Sequence, residues 1–99
     1  MNNPSRKPDA QAMIAEYRRQ IDQIDESLLD LLITRMDVAV KVGEVKARTG
    51  MAVADSDREK AILDRLIALT NNPLSRKHIK RIFQEIFRAA KDVQRKIGG

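Results

Sequence analysis

The feature that most constrains this chain is a run of apolar residues at helical spacing that no proline interrupts. They lie three and four residues apart, at Ile14, Tyr17, Ile21, Ile24, Leu28 and Leu31. The same spacing continues through position 35 to Val38, Val42 and Val45. This heptad-like stripe predicts one long amphipathic helix over residues 9–47. At 1.5 Å per residue, that helix is about 60 Å long.

Two shorter helices are predicted after the long one. Gly50 is a suitable helix stop, and a second helix begins at Asp55 or Ser56. Residues 70–73 form a loop, and Ser75 is a good N-cap for a third helix. The apolar positions of the third helix are Ile79, Ile82, Ile86, Val93 and Ile97. We therefore predict an all-α fold with one long and two shorter helices.

The long helix presents more apolar surface than its two successors can cover. The shorter helices span only about 22 and 33 Å, and soluble monomers avoid large exposed apolar patches. We therefore expect an intertwined homodimer in which two long helices pair and share one core. Residues 9–99 form this domain, and residues 1–8, which lack an apolar anchor, form a disordered N-terminal tail.

Composition excludes several kinds of site. No cysteine is present among the 99 residues, which excludes a disulfide scaffold and a thiolate metal site. His78 is the single histidine, so we expect no metal and no cofactor. The charge of +5 favours anionic partners. Because neither a targeting segment nor an apolar stretch of about 20 residues occurs, we expect a soluble cytoplasmic protein with no membrane partner.

Polar residues occupy positions that the apolar stripes would otherwise fill. Arg35 stands on the first stripe, and Lys46, eleven residues later, returns to the same face. Asp55 and Glu59 extend the apolar stripe of the second helix, which is Ile62, Leu66 and Leu69. Gln94 follows Val93, beside the apolar stripe of the third helix. Each also has a structural explanation, as a solvated arginine head, a cation at a helix C-terminus, a helix cap or a surface glutamine.

The start of the second helix illustrates such a structural alternative. The sequence S-x-x-E at 56–59 matches a capping box, in which Ser56 caps the helix and Glu59 reaches back to it. Arg18, beside Tyr17 on the flank of the first stripe, has a surface charge as its alternative. About 25 Å of helix separates Arg18 from Arg35, so only Arg18 of the partner subunit can join Arg35 on one small ligand.

Together, Arg35, Lys46, Arg58, Gln94 and Arg18 of the partner subunit predict a pocket rich in fixed hydrogen-bond donors. Such a pocket suits a small dianion, because arginine binds carboxylates through paired hydrogen bonds. The sequence offers no positioned histidine base and no plausible Ser–His pair. We therefore expect binding, or catalysis by positioning and electrostatics alone.

Four short patterns occur together in this region. They are R-x-x-I-D-x-I-D from residue 18, L-L-x-L-L-x-x-R from residue 28, V-x-x-V-K from residue 42 and D-x-x-R-E from residue 55. Each is weak alone, but in combination they make residues 18–94 resemble the all-helical class of chorismate mutase. The resemblance implies an intertwined dimer with two active sites at the shared core. It also implies an isomerase that converts chorismate to prephenate in the shikimate route to phenylalanine and tyrosine.

The resemblance implies roles for the donors of the pocket. Arg35 and Arg18 of the partner subunit would bind the substrate carboxylates, and Arg58 would support the carboxylate region. Lys46 and Gln94 would donate to the ether oxygen, where negative charge grows as the C–O bond breaks.

The remaining candidates lie around the substrate ring. The resemblance implies that Glu59 and the backbone near Asp55 hold the ring hydroxyl. Ala90 occupies a position that is often small and polar in the family, so one hydrogen bond is removed from the site but no essential charge.

Other functions stay open at this point. An isochorismate pyruvate lyase on the same scaffold would use the same cationic pocket. The basic segment RKHIKR at 76–81 indicates, as an alternative, a basic helical module that binds nucleic acid or regulates a larger enzyme of the pathway. We expect no nucleic acid, because Tyr17, Phe83 and Phe87 are the only aromatic residues and offer no stacking platform.

Overall fold

The computed structural model describes residues 9–71 and 74–98, with the side chains of residues 97 and 98 left aside. Three helices account for most of these residues, α1 (Ala10–Thr49), α2 (Ser56–Leu69) and α3 (Arg76–Gly98), and no strand occurs among them. The prediction of an all-α fold with one long and two shorter helices is confirmed. The predicted tail at residues 1–8 lies outside the described residues.

Local hydrogen bonds fix both ends of α1. At its start, the Asp9 carboxylate accepts a hydrogen bond from the Gln11 backbone N–H at 3.0 Å. At its end, Gly50 has a φ of 71°, a left-handed conformation that glycine adopts without strain. The Met51 N–H then donates to the Lys46 carbonyl at 3.0 Å, as in a Schellman motif. The predicted stop at Gly50 is confirmed.

The cap of α2 differs from the predicted capping box by one residue. Asp55 is the N-cap, and its carboxylate accepts a hydrogen bond from the Arg58 N–H at 3.0 Å. Ser56 is instead the first residue of the helix. The capping-box interpretation of Ser56 and Glu59 is therefore wrong, because the preceding aspartate supplies the capping oxygen.

The buried face of α3 also departs from the predicted apolar stripe. Ile79 and Phe87 are each only 4% exposed, whereas Ile82 is 49% exposed. Phe87 lies eight residues, or about two helical turns, after Ile79 and therefore faces the same side. Helices α2 and α3 pack against each other, and Ile62 is the buried residue of α2.

The chain divides into two units, Met1–Leu32 and Ile33–Gly99. In the first unit, every residue from 9 to 31 is exposed, including the apolar stripe. The second unit contains the buried residues of the described chain, among them Ala39, Ile62, Ile79 and Phe87. No helix of the described residues combines the length and the apolar character that a membrane span requires.

Candidate active site

The second unit contains a cavity of about 470 Å³. The C-terminal part of α1, the segment that follows it, α2 and α3 all contribute to its wall. The lining residues are Arg35, Val38, Ala39, Val42, Lys46, Val53, Asp55, Arg58, Glu59, Ile62, Phe87, Ala90, Lys91 and Gln94. The lining therefore combines aliphatic and aromatic side chains with several charged groups.

Arg35 is positioned by an aromatic ring of α3. Its guanidinium carbon lies 5.7 Å from the centre of the Phe87 ring, and Phe87 itself is almost fully buried. An arginine over an aromatic face is attracted by the ring quadrupole. This contact holds Arg35 in the cavity wall with its hydrogen-bond donors available to a ligand.

Lys46, about three helical turns further along α1, is held by the segment between α1 and α2. Its ammonium group donates to the Val53 backbone carbonyl at 2.9 Å, and the contact is partly buried. Lysine carries three N–H donors, so this single hydrogen bond leaves two donors of Lys46 for a ligand.

Gln94 is the buried polar side chain of the cavity. It is 8% exposed, and its Oε1 atom has no hydrogen-bond partner among the described residues. Gly43 of α1 lies directly against it, since a Cβ atom at Gly43 would come within 2.9 Å of the Gln94 Cγ atom. The absence of a side chain at Gly43 thus allows α3 to approach α1 and places Gln94 in the wall.

The first turn of α2 supplies the acidic part of the cavity. The Asp55 carboxylate is engaged in capping the helix. The Glu59 carboxylate forms an ion pair with Lys91 of α3, with Nζ and Oε2 3.2 Å apart. Arg58 lies between these two residues in the sequence and also lines the cavity.

The charges of the lining add up to a cationic site. The wall holds four cations and two carboxylates, which gives a net charge of +2. The cations are Arg35, Lys46, Arg58 and Lys91, and the carboxylates are Asp55 and Glu59. Within the described parts of the chain, no group of three or more metal-binding side chains occurs. The arrangement can bind a small dianion and stabilise negative charge that develops on it.

Seven of the eight candidate residues from the sequence lie together in this cavity. They are Arg35, Lys46, Asp55, Arg58, Glu59, Ala90 and Gln94. Arg18, which is exposed on the first unit, is not among the lining residues. Ala90 brings no polar side chain to the wall.

Sequence reasoning missed three residues that shape the site, namely Gly43, Phe87 and Lys91. Lys91 follows Phe87 by four positions and precedes Gln94 by three, so a helical projection places all three on one face. That spacing was a usable signal for Lys91 and Phe87. The close approach at Gly43 depends on the packing of two helices and leaves no local pattern.

The sequence of the chain resembles those of known proteins. A family model described as chorismate mutase type II matches residues 17–95. The chain is 43% identical over 70 residues to the bifunctional chorismate mutase/prephenate dehydratase of Escherichia coli K12, an alignment that covers 70% of this chain and 18% of that protein. It is 42% identical over 53 residues to the chorismate mutase of Methanocaldococcus jannaschii, which covers 54% of each.

A solved structure also resembles the fold. The form II chorismate mutase of Thermus thermophilus superposes with a TM-score of 0.83 at 27% identity, and the match covers 85% of this chain and 96% of that one. The bifunctional relatives are much longer, since the chain spans only about a fifth of the length of the Escherichia coli protein. Both the sequence and the fold thus point to one family.

Proposed function

This chain belongs to the chorismate mutase type II family, and we propose that it is an isomerase that converts chorismate to prephenate. The observation that carries the proposal is the cavity in which Arg35, Lys46 and Gln94 meet around a net charge of +2. Chorismate is a small dicarboxylate, so its charge complements that of the cavity. The reaction would supply prephenate for phenylalanine and tyrosine in the cytoplasm.

The proposed mechanism needs no proton transfer, because the rearrangement is pericyclic and unimolecular. The protein has to hold the substrate in its compact conformation and stabilise the charge that develops in the transition state. Lys46 and Gln94 donate to the ether oxygen as the C–O bond breaks. Gln94 is well suited to this role, since its burial excludes competing water from the donor.

The other candidate residues bind the ends of the substrate. Arg35 holds one carboxylate, and Arg58 supports the carboxylate region. Glu59 and the backbone near Asp55 hold the ring hydroxyl, while Ala90 leaves one family hydrogen bond unmade. Because Asp55, Glu59 and Arg35 are fixed by a cap, an ion pair and a cation–π contact, these three groups require little ordering when the substrate binds.

The proposed enzyme works as an intertwined homodimer in which Arg18 of the partner subunit completes each site. The apolar stripe of the first unit supports this proposal. Its six members from Ile14 to Leu31 are between 47% and 67% exposed in the single chain. A second copy that pairs along this stripe removes the apolar surface from water and supplies the arginine that the cavity lacks. We regard residues 9–99 as the unit that dimerises.

A pathway enzyme is a further proposed partner. The Escherichia coli relative carries chorismate mutase and prephenate dehydratase in one protein by name. An enzyme that consumes prephenate is therefore the class of protein we expect beside this chain.

The direct test is conversion of chorismate by the purified chain. Loss of chorismate is followed by ultraviolet absorbance, and prephenate is identified by its acid-catalysed conversion to phenylpyruvate. A Lys46→Met preparation, purified in the same way, controls for contaminating activity. We expect rapid conversion by the wild-type chain alone.

A folded dimer that leaves chorismate unchanged would contradict the proposal. Formation of salicylate and pyruvate from isochorismate would then indicate a lyase on the same scaffold. Binding to nucleic acid that weakens steeply with salt would instead indicate the basic helical module.

A further inference from the structure

The Lys91–Glu59 ion pair differs from the other ion pairs described in this chain. It joins α3 to α2, and its two side chains are only 26% and 28% exposed. Four other pairs each link residues three or four apart on one helix, and their side chains are all more than half exposed. Exposed ion pairs contribute little to stability. The Lys91–Glu59 pair is partly buried and joins two helices, so that generalisation does not apply to it.

The position of Lys91 on α3 places a cation on the face that is otherwise the most buried. Its neighbours on that face, Phe87 and Gln94, are 4% and 8% exposed. A lysine at such a place is costly unless its charge is paired. Glu59 provides that pairing, and both members of the pair line the cavity.

The pair also sets the charge that a ligand meets. With Lys91, the four cations and two carboxylates of the lining leave +2. Without Lys91, the carboxylate of Glu59 would stand uncompensated and the lining would hold +1. Loss of Lys91 would therefore lower the positive charge of the lining and weaken its attraction for a substrate with two carboxylates.

We propose that Lys91 is a positioning residue that fixes the Glu59 carboxylate in the cavity wall and sets the affinity of the site for its dianionic substrate. The inference rests on the proposed function, because it assumes that chorismate is the ligand. Lys91 acts through Glu59 and not on the breaking bond. The Michaelis constant should therefore respond to Lys91, and turnover should respond much less.

The test compares Lys91→Met with Lys91→Arg and with a matched control. Lys91→Met keeps an unbranched side chain of similar length and removes its charge. We expect KM for chorismate to rise about fivefold, with kcat changed less than about twofold. Lys91→Arg should restore KM. The control is Lys60→Met, because Lys60 pairs with Asp64 at the same 3.2 Å but on the exposed side of α2; its KM should equal that of the wild type.

A second background separates action through Glu59 from a purely structural role. In a Glu59→Gln chain, Lys91 no longer has a carboxylate to hold in the cavity wall. We therefore expect Lys91→Met to raise KM in the wild-type background but not in the Glu59→Gln background. An equal rise in both backgrounds would overturn the proposal. So would a lower melting temperature without any change in KM.

Failure of the inference and failure of the proposed function can be told apart. If the wild-type chain converts chorismate and Lys91→Met has the same KM, only the inference is wrong. If the wild-type chain binds chorismate without converting it, the mutase proposal is wrong, and titration calorimetry with chorismate then tests Lys91 directly through Kd. If chorismate does not bind at all, both are wrong.

Discussion

The two ends of α1 have the same apolar periodicity but differ in exposure and in what the residues line. In the first unit, the stripe from Ile14 to Leu31 stays exposed. In the second unit, Ala39 and Gly43 of the same helix are buried, and Arg35 and Lys46 line the cavity. The same spacing therefore occurs both in an exposed apolar face and in part of a cavity wall, and the polar residues at stripe positions, Arg35 and Lys46, distinguish the two.

This difference shows what kind of information a stripe contains. The spacing of apolar residues indicates which of them share a helix face, but it does not indicate which element or molecule packs against that face. In the second unit, α3 packs against α1, and the polar residues of the stripe, Arg35 and Lys46, are half-buried in the cavity wall. In the first unit, the stripe is exposed, and this exposure is the basis of the proposed dimer.

The largest expected effect comes from breaking the stripe of the first unit. Ile24→Glu places a carboxylate in the centre of the proposed dimer interface, where burying an unpaired charge is costly. We expect sedimentation equilibrium to show a monomer, and mutase activity to fall to background. Ala12→Glu adds the same charge on the opposite face of the helix and should leave a dimer. A dimeric, active Ile24→Glu chain would contradict the role assigned to the stripe.

The next effect tests the cationic wall of the second unit. Lys46→Ala removes a donor to the ether oxygen, which is typically worth about 3–4 kcal/mol in the transition state. We expect kcat to fall by at least about 100-fold, while circular dichroism shows the helical content unchanged. Full activity of this folded variant would contradict the role of Lys46 as a donor to the ether oxygen.

A smaller effect is expected where α1 and α3 touch. Gly43→Ala places a methyl group against Gln94, which must shift because its Cγ and Cα atoms are both within about 3 Å of the new atom. We expect kcat to fall about tenfold, since small displacements of a catalytic group are costly. Glu44→Ala, at the adjacent exposed position, is the control for an alanine substitution on α1 away from Gln94. Unchanged kinetics in Gly43→Ala would show that Gln94 tolerates the shift.

The smallest effect concerns the ring beneath Arg35. Phe87→Leu keeps an apolar side chain but removes the cation–π contact, which is worth about 0.5–1 kcal/mol. KM should rise about threefold in steady-state assays. Phe83→Leu is the matched control, because the Phe83 ring lies 6.3 Å from that of Phe87 and does not line the cavity. If both variants behave alike, Phe87 acts by packing alone.

The sequence predicted those features that depend on neighbouring residues. The three helices follow from apolar spacing, and the end of α1 at Gly50 and the start of α3 after Ser75 follow from local backbone chemistry. The cap of α2 was left open between Asp55 and Ser56, since both are good caps and the sequence alone does not rank them; the structure has Asp55. On α3, Ile79 of the predicted stripe is buried, but Ile82 is exposed, and Phe87, adjacent to the predicted Ile86, belongs to the buried face.

The missed site features depend on contacts between helices. Lys91 pairs with Glu59 across 32 positions of sequence, and Gly43 contacts Gln94 across an even longer interval. The spacing of residues along a single helix does not predict such contacts between helices. Arg35 and Lys46 could be found because they interrupt a stripe on their own helix. The proposed role of Arg18 depends on a second copy of the chain, so it has to be tested on the dimer.

The most direct test of the account is complementation between two inactive variants. Arg18→Ala and Arg35→Ala chains are mixed under conditions that exchange subunits, and chorismate consumption is measured together with the yield of mixed dimer. If Arg18 of the partner subunit completes each site, every mixed dimer has one intact site, and random exchange restores about a quarter of the wild-type rate. Mixed dimers that form but stay inactive would contradict a site shared between chains.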